Sequence, residues 1–343
     1  MNFSTTRVNS SELNEDNYVS TENMLQDYQG IVDAKSVPED VNVISFSCGD
    51  TLISNIRPYL KKVWKATYNG GCSSDVFVLK ANDNIESDYL HYVIANDKFI
   101  NFVMSGAKGV KMPRGDKNQM KTYSLSLPQI QEQKKISKML SLLDERIATQ
   151  NKIIEDLKKL KSAISENLFK AIKGDVVILS EICEIIKGKQ VNSEFLSEKG
   201  KYYVMNGGTE PSGYYSDYNV EANTISISEG GNSCGYVQFN TSPFWSGGHC
   251  YTIQKITDNV DHLYLYHYLK SKEYAIMKLR IGSGLPNIQK KDLAIFKIKI
   301  PTAKQQKVIS TFLSSLERKA EIEERTQKAM QKEKLYLLRQ MFI

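Results

Sequence analysis

LPQIQEQKKISKMLSLLDERIATQNKIIEDLKKLKSAISENLF, Leu127–Phe169, occurs twice in this chain. It returns as IPTAKQQKVISTFLSSLERKAEIEERTQKAMQKEKLYLLRQMF, Ile300–Phe342, without a gap at an offset of 173 residues, and 11 of 43 positions are identical. The matches include Pro128/Pro301, Gln133/Gln306, Ile136/Ile309, Ser137/Ser310, Leu140/Leu313, Ser141/Ser314, Leu143/Leu316 and Phe169/Phe342. A repeat of this length marks a duplicated unit.

Each copy opens with Pro and a Gln/Lys-rich turn, which suits a helix start because the first turn leaves its N–H groups unpaired anyway. In the first copy Ile136, Leu140, Leu143, Ile147, Ile154, Leu157, Ile164 and Leu168 alternate steps of four and three, with Gln150 and Lys161 completing the seam. That heptad favours a left-handed coiled coil about 65 Å long at 1.5 Å per residue. In the second copy Ile309, Leu313, Leu316, Met330 and Leu337 hold the seam, while its middle carries Ala320, Glu323 and Gln327. Antiparallel helices with matched ends would set Gln150 level with Gln327, and such a polar seam can fix register. Ordinary amphipathic core helices that tolerate polar residues remain the alternative.

The chain has 343 residues, 41% of them hydrophobic and 24% charged, so two or three packed domains are expected. The long helices are rich in Lys and Glu, which excludes a membrane span there. MNFSTTRVNSSELNED, residues 1–16, has no apolar run after a basic one, so no signal peptide is expected. Five scattered Cys without a CxxC pair read as reduced thiols of a cytoplasmic protein. A net charge of +6 permits a polyanionic partner without requiring one.

The remaining chain repeats the same order. Val43–Ile56 and Ser74–Ala81 read as strands, Glu86–Ser105 as a helix, and Gly106–Asn118 as a Gly/basic loop ahead of a strand ending at Leu127. Tyr202–Gly208, Asn223–Gly231, Gly235–Phe239 and Cys250–Ile256 read as strands, and Val260–Arg280 as a helix. The loop Gly282–Asn287 and a strand Leu293–Ile300 follow. Tyr89–Leu90 answers Tyr264–Leu265, Pro113 answers Pro286, and the Gly-Gly pair at 70–71 answers that at 247–248. The expected class is α+β. Two similar mixed α/β domains, 1–126 and 174–299, alternate with two long helices, 127–173 and 300–343, which are expected to pair as an antiparallel coiled coil.

Catalytic signatures are lacking. There is no GxxxxGK[ST] phosphate loop, GxSxG elbow or HExxH helix. His91, His249, His262 and His267 do not cluster with Cys at metal-ligand spacing. His249 beside Cys250 reads better as a buried pair opening a strand than as a nucleophile or metal site. Two globular modules without a catalytic constellation read as a recognition protein. A coiled-coil scaffold presenting two protein-binding modules is the alternative.

A strand ending in an apolar residue and Pro, then Gln, then a long helix, seen twice, resembles the specificity subunit of type I restriction–modification enzymes. Leu127–Ile147, Gly282–Pro301 and GDTLISNIRPYLKK (Gly49–Lys62) carry the resemblance, which covers the whole chain. It implies that each globular unit is a target recognition domain for one half of a split DNA sequence. The helices would set the unread gap and dock two methyltransferase subunits, and through them motor–nuclease subunits. The subunit itself would carry no catalysis and no cofactor, S-adenosylmethionine belonging to the methyltransferase. One departure is expected. Aligning Val8 with Val191 leaves the first unit without a counterpart of VVILSEIC (Val176–Cys183), as if its N-terminal edge were trimmed.

Under that reading, basic, amide and aromatic residues in Gly-flanked loops are the candidates for DNA contact, since Lys and Arg neutralise phosphates while Arg suits guanine and Asn adenine. In the first unit these are Arg57, Tyr59, Lys61, Lys62, Lys108, Lys111 and Arg114. In the second they are Lys189, Asn206, Thr209, Asn232, Trp245 and Asn287. Each could equally be a solvated turn position, and Trp245 a core residue.

Overall fold

The computed structural model describes residues 2–282, 284 and 286–342. The chain gathers into two compact units, Met1–Asn151 with Thr326–Ile343, and Lys152–Arg325. Both long helices cross that division, so each unit owns the start of one helix and the end of the other.

In the first unit the strands are β1 (Asn2–Phe3), β2 (Arg7–Asn9), β3 (Tyr18–Val19), β4 (Asn42–Phe46), β5 (Thr51–Ser54), β6 (Val63–Lys65), β7 (Gly70–Cys72) and β8 (Val76–Lys80). One sheet has the order β1-β8-β5-β6 and a second the order β2-β4-β7-β3. Helices α1 (Ser87–Ile94), α2 (Asp97–Ser105) and α3 (Lys117–Lys121) follow, then α4 (Ile130–Ala171). β5 is buried at all four positions and β8 is apolar at four of five, because both faces are covered. Ile53, Val63, Leu79, Tyr89, Leu90, Phe99 and Val103 form a buried cluster.

In the second unit β9 (Asp175–Ile178), α5 (Leu179–Ile182), β10 (Glu184–Lys187), β11 (Tyr202–Met205), β12 (Tyr214–Tyr215) and β13 (Thr224–Ser228) come first. Then come β14 (Val237–Asn240), β15 (Trp245–Ser246), β16 (Cys250–Gln254), α6 (His262–Ser271), α7 (Glu273–Met277), α8 (Lys290–Ala294), β17 (Lys297–Ile300) and α9 (Ala303–Met341). Its main sheet, β10-β16-β13-β14, has the order of the first unit's main sheet. Ser54 faces Val76 and Ser228 faces Cys250, so equivalent residues across the two cores lie 174 apart.

The helix expected over Glu86–Ser105 is two helices. Asn96 is extended at φ −132°, its side chain caps α2 by accepting from Lys98 N at 2.9 Å, and its amide donates to Leu338 O at 3.1 Å. The Val260–Arg280 helix also divides, at Lys272 between α6 and α7. The expected strand Leu293–Ile300 begins later, because Leu293 and Ala294 belong to α8. The strand expected before Leu127 is not formed. Its counterpart β17 pairs with β9 from Lys297↔Ile178 to Ile300↔Asp175, and among the described residues nothing in the first unit takes the place of β9. Gly70–Gly71 lie within β7, whereas Gly247–Gly248 precede β16 and align with Ser73–Ser74, so those Gly-Gly pairs are not equivalent. Ser283 and Leu285 of the Gly282–Asn287 loop, and Ile343 at the end of the second helix segment, lie outside the described residues.

The heptads are visible as burial. Ile136, Leu140, Leu143, Ile147, Gln150, Ile154 and Leu157 are buried or half-buried, as are Ile309, Leu313, Leu316, Met330 and Leu337. In the first unit Ile136, Leu140 and Leu337 join one apolar cluster, and Lys334 Nζ lies 2.5 Å from Asp144. In the second unit Lys158 and Lys161 pair with Glu324 and Glu317 at 2.6 and 2.8 Å. Within each unit the two helices therefore run antiparallel. The 144/334 pairing sets Gln150, only 8% exposed, about level with Gln327.

A duplicated clamp ties each helix to its unit. Gln133 Oε1 accepts from Glu86 N at 2.8 Å, while its amide donates to Asn84 O and Pro128 O. Gln306 Oε1 accepts from Asp261 N at 2.8 Å, while its amide donates to Asn259 O and Pro301 O. Phe342 packs on Tyr89 and Phe169 on Tyr264, at ring separations of 5.1 and 5.8 Å.

Candidate nucleic-acid interface

Both central strands end in a polar loop frame built by the same backbone bonds. In the first unit, just past β5, Asn55 N donates to Asp75 O at 2.8 Å, Arg57 N to Pro113 O at 2.8 Å and Gly115 N to Asn55 O at 3.0 Å. Lys108 and Arg114 exchange backbone bonds of 3.0 and 2.9 Å. In the second unit, just past β13, Glu229 N donates to His249 O at 2.9 Å, Gly231 N to Pro286 O at 3.0 Å and Ile288 N to Glu229 O at 2.8 Å. Ile281 and Asn287 exchange bonds of 2.8 and 3.0 Å. The equivalence of Pro113 and Pro286 thus rests on each carbonyl accepting the same bond.

The side chains in these frames differ. In the first unit Arg114 Nη1 lies 3.1 Å from Asp75 Oδ1, and Lys108 Nζ lies 3.1 Å from Asp116 Oδ2. Asn55 Oδ1 is buried without a hydrogen-bond partner. The 108–114 hairpin tip is open to solvent, with Val110 fully exposed, and Lys111 makes no ion pair among the described residues. Arg57 and Tyr59 stand exposed beside it. Lys61 and Lys62 are engaged elsewhere. Lys61 pairs with Asp97 at 2.8 Å, and Lys62 Nζ donates to Thr21 O at 2.6 Å, where burial lowers its pKa.

In the second unit Glu229 is 7% exposed. Its Oε1 accepts from Lys187 Nζ at 2.6 Å and from Tyr251 OH at 3.1 Å, while Oε2 is buried without a hydrogen bond. His249 Nδ1 stands 3.7 Å from that oxygen, with 64% of the His249 side chain exposed. The expected buried His–Cys pair is therefore half right. Cys250 is buried, and burial pushes its thiol to about 11, whereas His249 faces solvent.

Asn206 Oδ1 accepts from His249 N at 3.1 Å, which brings Asn206 into the frame with Asn287. Asn232 is exposed next to Gly231, and Thr209 is exposed three residues past Asn206. Lys189 is exposed, and its carbonyl accepts from Trp245 Nε1 at 2.8 Å. Trp245 is half-buried edge-on against Tyr215 at 4.9 Å, a packed support residue. Among the described residues no group of His, Cys, Asp and Glu could hold a metal, and no helix is long and apolar enough to cross a membrane.

Composition-led selection missed Asn55, Asp75, Lys187, Glu229 and His249. An alignment of the two central strands at offset 174 would have paired 55 with 229 and 75 with 249. The visible Gly pairs suggested different offsets.

The family model for the type I restriction modification DNA specificity domain matches residues 4–159 and again 173–332. A Mycoplasma pneumoniae protein named as a type I specificity subunit is 34% identical over 138 residues, which are 40% of this chain and 36% of that protein's length. The type I restriction enzyme MjaVIII specificity subunit of Methanocaldococcus jannaschii is 27% identical over 312 residues, covering 77% of this chain and 72% of that one. The crystal structure of the type I restriction-modification system S subunit from M. genitalium has a like fold, with a TM-score of 0.66 at 19% identity over 100% of this chain and 96% of that one. Two matched domains and two matching loop frames lead to one statement: the chain belongs to the type I restriction modification DNA specificity family.

Proposed function

We propose that this chain is the DNA-reading subunit of a type I restriction–modification complex and that it reads a split duplex target, one half with each unit. The carrying observation is the duplicated loop frame. Five backbone bonds recur at equivalent positions, while the side chains they display have diverged from Asn55, Asp75 and Arg114 to Glu229, His249 and Asn287. A shared scaffold with different polar groups suits two readers of different sequences, because sequence is read at base edges and phosphate contacts only position. Lys111, Arg57, Lys189 and Asn232, exposed around the frames, would supply phosphate and base contacts.

In this reading the paired helices set the gap between the half-sites. They also present apolar side chains for docking two methyltransferase subunits. Met139 and Phe312, at equivalent repeat positions, are 39% and 45% exposed, and Val308, Leu160 and Tyr336 are more open still. Those subunits would bring S-adenosylmethionine and recruit motor–nuclease subunits. The chain would perform no catalysis itself and would work in the cytoplasm.

Co-expression with a methyltransferase subunit, followed by methylome sequencing, tests the proposal. A split adenine-methylated motif is expected, together with duplex binding that weakens linearly in log salt. Absence of both methylation and salt-dependent binding contradicts it.

A further inference from the structure

Each frame holds an acid inside and an exposed hydrogen-bonding side chain at its rim. In the first unit Asp75 holds Arg114, Nη1 to Oδ1 being 3.1 Å. In the second, Glu229 lies beneath His249 with Nδ1 3.7 Å from Oε2. The acids sit at different points of the common frame, since 75 corresponds to 249 and 55 to 229. The pairing has been kept while its position has changed.

Glu229 is the more informative acid. A carboxylate 7% exposed with one oxygen unpaired is costly unless that oxygen finds a donor. Lys187 and Tyr251 already occupy Oε1. The imidazole of His249 faces Oε2 at 3.7 Å, and its backbone N–H donates to Asn206 Oδ1. The 3.7 Å separation is too long for a hydrogen bond, but the charge of the facing carboxylate favours the proton on Nδ1, which leaves Nε2 as an outward acceptor. Such a nitrogen matches the exocyclic amino group of adenine or cytosine. A guanidinium steadied by Asp75 instead presents the donor fork that matches guanine.

We propose that Arg114 and His249 are base-contacting specificity residues of the two units, with Asp75 and Glu229 as the positioning residues that aim them. This rests on the DNA-reading function proposed above. In the first unit Arg114 selects guanine. In the second unit His249 selects adenine or cytosine over guanine or thymine on the strand it faces.

The test uses the complex with its methyltransferase subunit, its methylome, and duplexes substituted one base pair at a time. His249→Ala should lower discrimination about 10-fold or more at one position of the second unit's half-site and leave the other half unchanged. Glu229→Gln should give a smaller loss at the same position. Arg114→Ala and Asp75→Asn should act only on the opposite half. A structural role alone would weaken binding to all sequences equally without altering their ratios, and that outcome overturns the proposal. So does a change in both halves from one substitution. His249 is exposed, so its variant decides the matter even where Glu229→Gln fails to accumulate. A wild type with no split motif overturns the broader function as well. An intact wild-type motif with insensitive variants overturns this inference alone.

Discussion

Position 57 is Arg in the first unit and its equivalent, 231, is Gly in the second, yet both adopt left-handed φ, 50° and 75°. The same holds for Lys61 and Gly235 at 53° and 91°, and for Gly49 and Asn223 at 92° and 61°. The two units keep the backbone turns and exchange the residues that make them. A left-handed φ costs an L-residue about 1–2 kcal/mol. The fold tolerates that cost in either unit, and it leaves an exposed guanidinium at Arg57 where the second unit has none.

The strongest way to break this comparison is at the clamp, where the units are alike in residue and in bonds. Gln306→Ala should cost about 2–4 kcal/mol, since it strands Asp261 N and two carbonyls in partly buried places. Gln133→Ala should cost as much, through Glu86 N. Hydrogen exchange should show the loss at Asp261 for one variant and at Glu86 for the other. A loss spread evenly over both units would mean that the clamps are not local.

Two packed histidines, half-buried His91 and buried His267, sharpen the comparison with pH. Burial lowers His91 from 6.5 to about 3 and His267 to about 4. Their neutral forms fit the fold, while an unfolded chain takes up protons below 6.5. Stability is therefore complete above pH 6.5 and falls as pH drops toward 4, by about 2 kcal/mol per histidine at pH 5. His267 Nε2 lies 2.9 Å from Ser314 Oγ, whereas His91 Nδ1 is buried without a partner. His91→Leu should flatten the acid limb of a urea-midpoint profile without a loss at pH 7.5. His267→Leu should flatten it while losing stability there. Equal behaviour at pH 7.5 would erase this difference between the units.

The smallest effect belongs to the exchanged turns. Gly231→Arg should cost about 1–2 kcal/mol, and Arg57→Gly should cost nothing or stabilise by up to about 1 kcal/mol. Arg57→Gly should nevertheless weaken duplex binding. A destabilised Arg57→Gly protein would show that the arginine serves the fold.

The parts carried by periodicity and repetition were legible from residues alone. The heptads at Ile136–Leu157 and Ile309–Leu337 need only apolar spacing, and the order of elements repeats at a nearly constant offset. The loop frames were not legible. Turn glycines are the usual guide to equivalent loops, and here Gly231 is equivalent to Arg57 while Gly70 is equivalent to Phe244, just before β15. Asn96 broke an otherwise continuous amphipathic helix because its side chain caps one helix and bonds Leu338. Lys61 and Lys62 looked like free surface cations, yet Asp97 and Thr21 take them up through contacts no local pattern announces. The segment before Leu127 has strand character, but a strand needs a partner, which β17 has in β9.

The central claim is that two diverged readers share one scaffold. Its most direct test is methylome sequencing after residues 2–126 are replaced by the corresponding segment of another family member, in cells that co-express a methyltransferase subunit. One half of the methylated motif should change while the other half stays as in the wild type. A change in both halves, or in neither, would contradict the account.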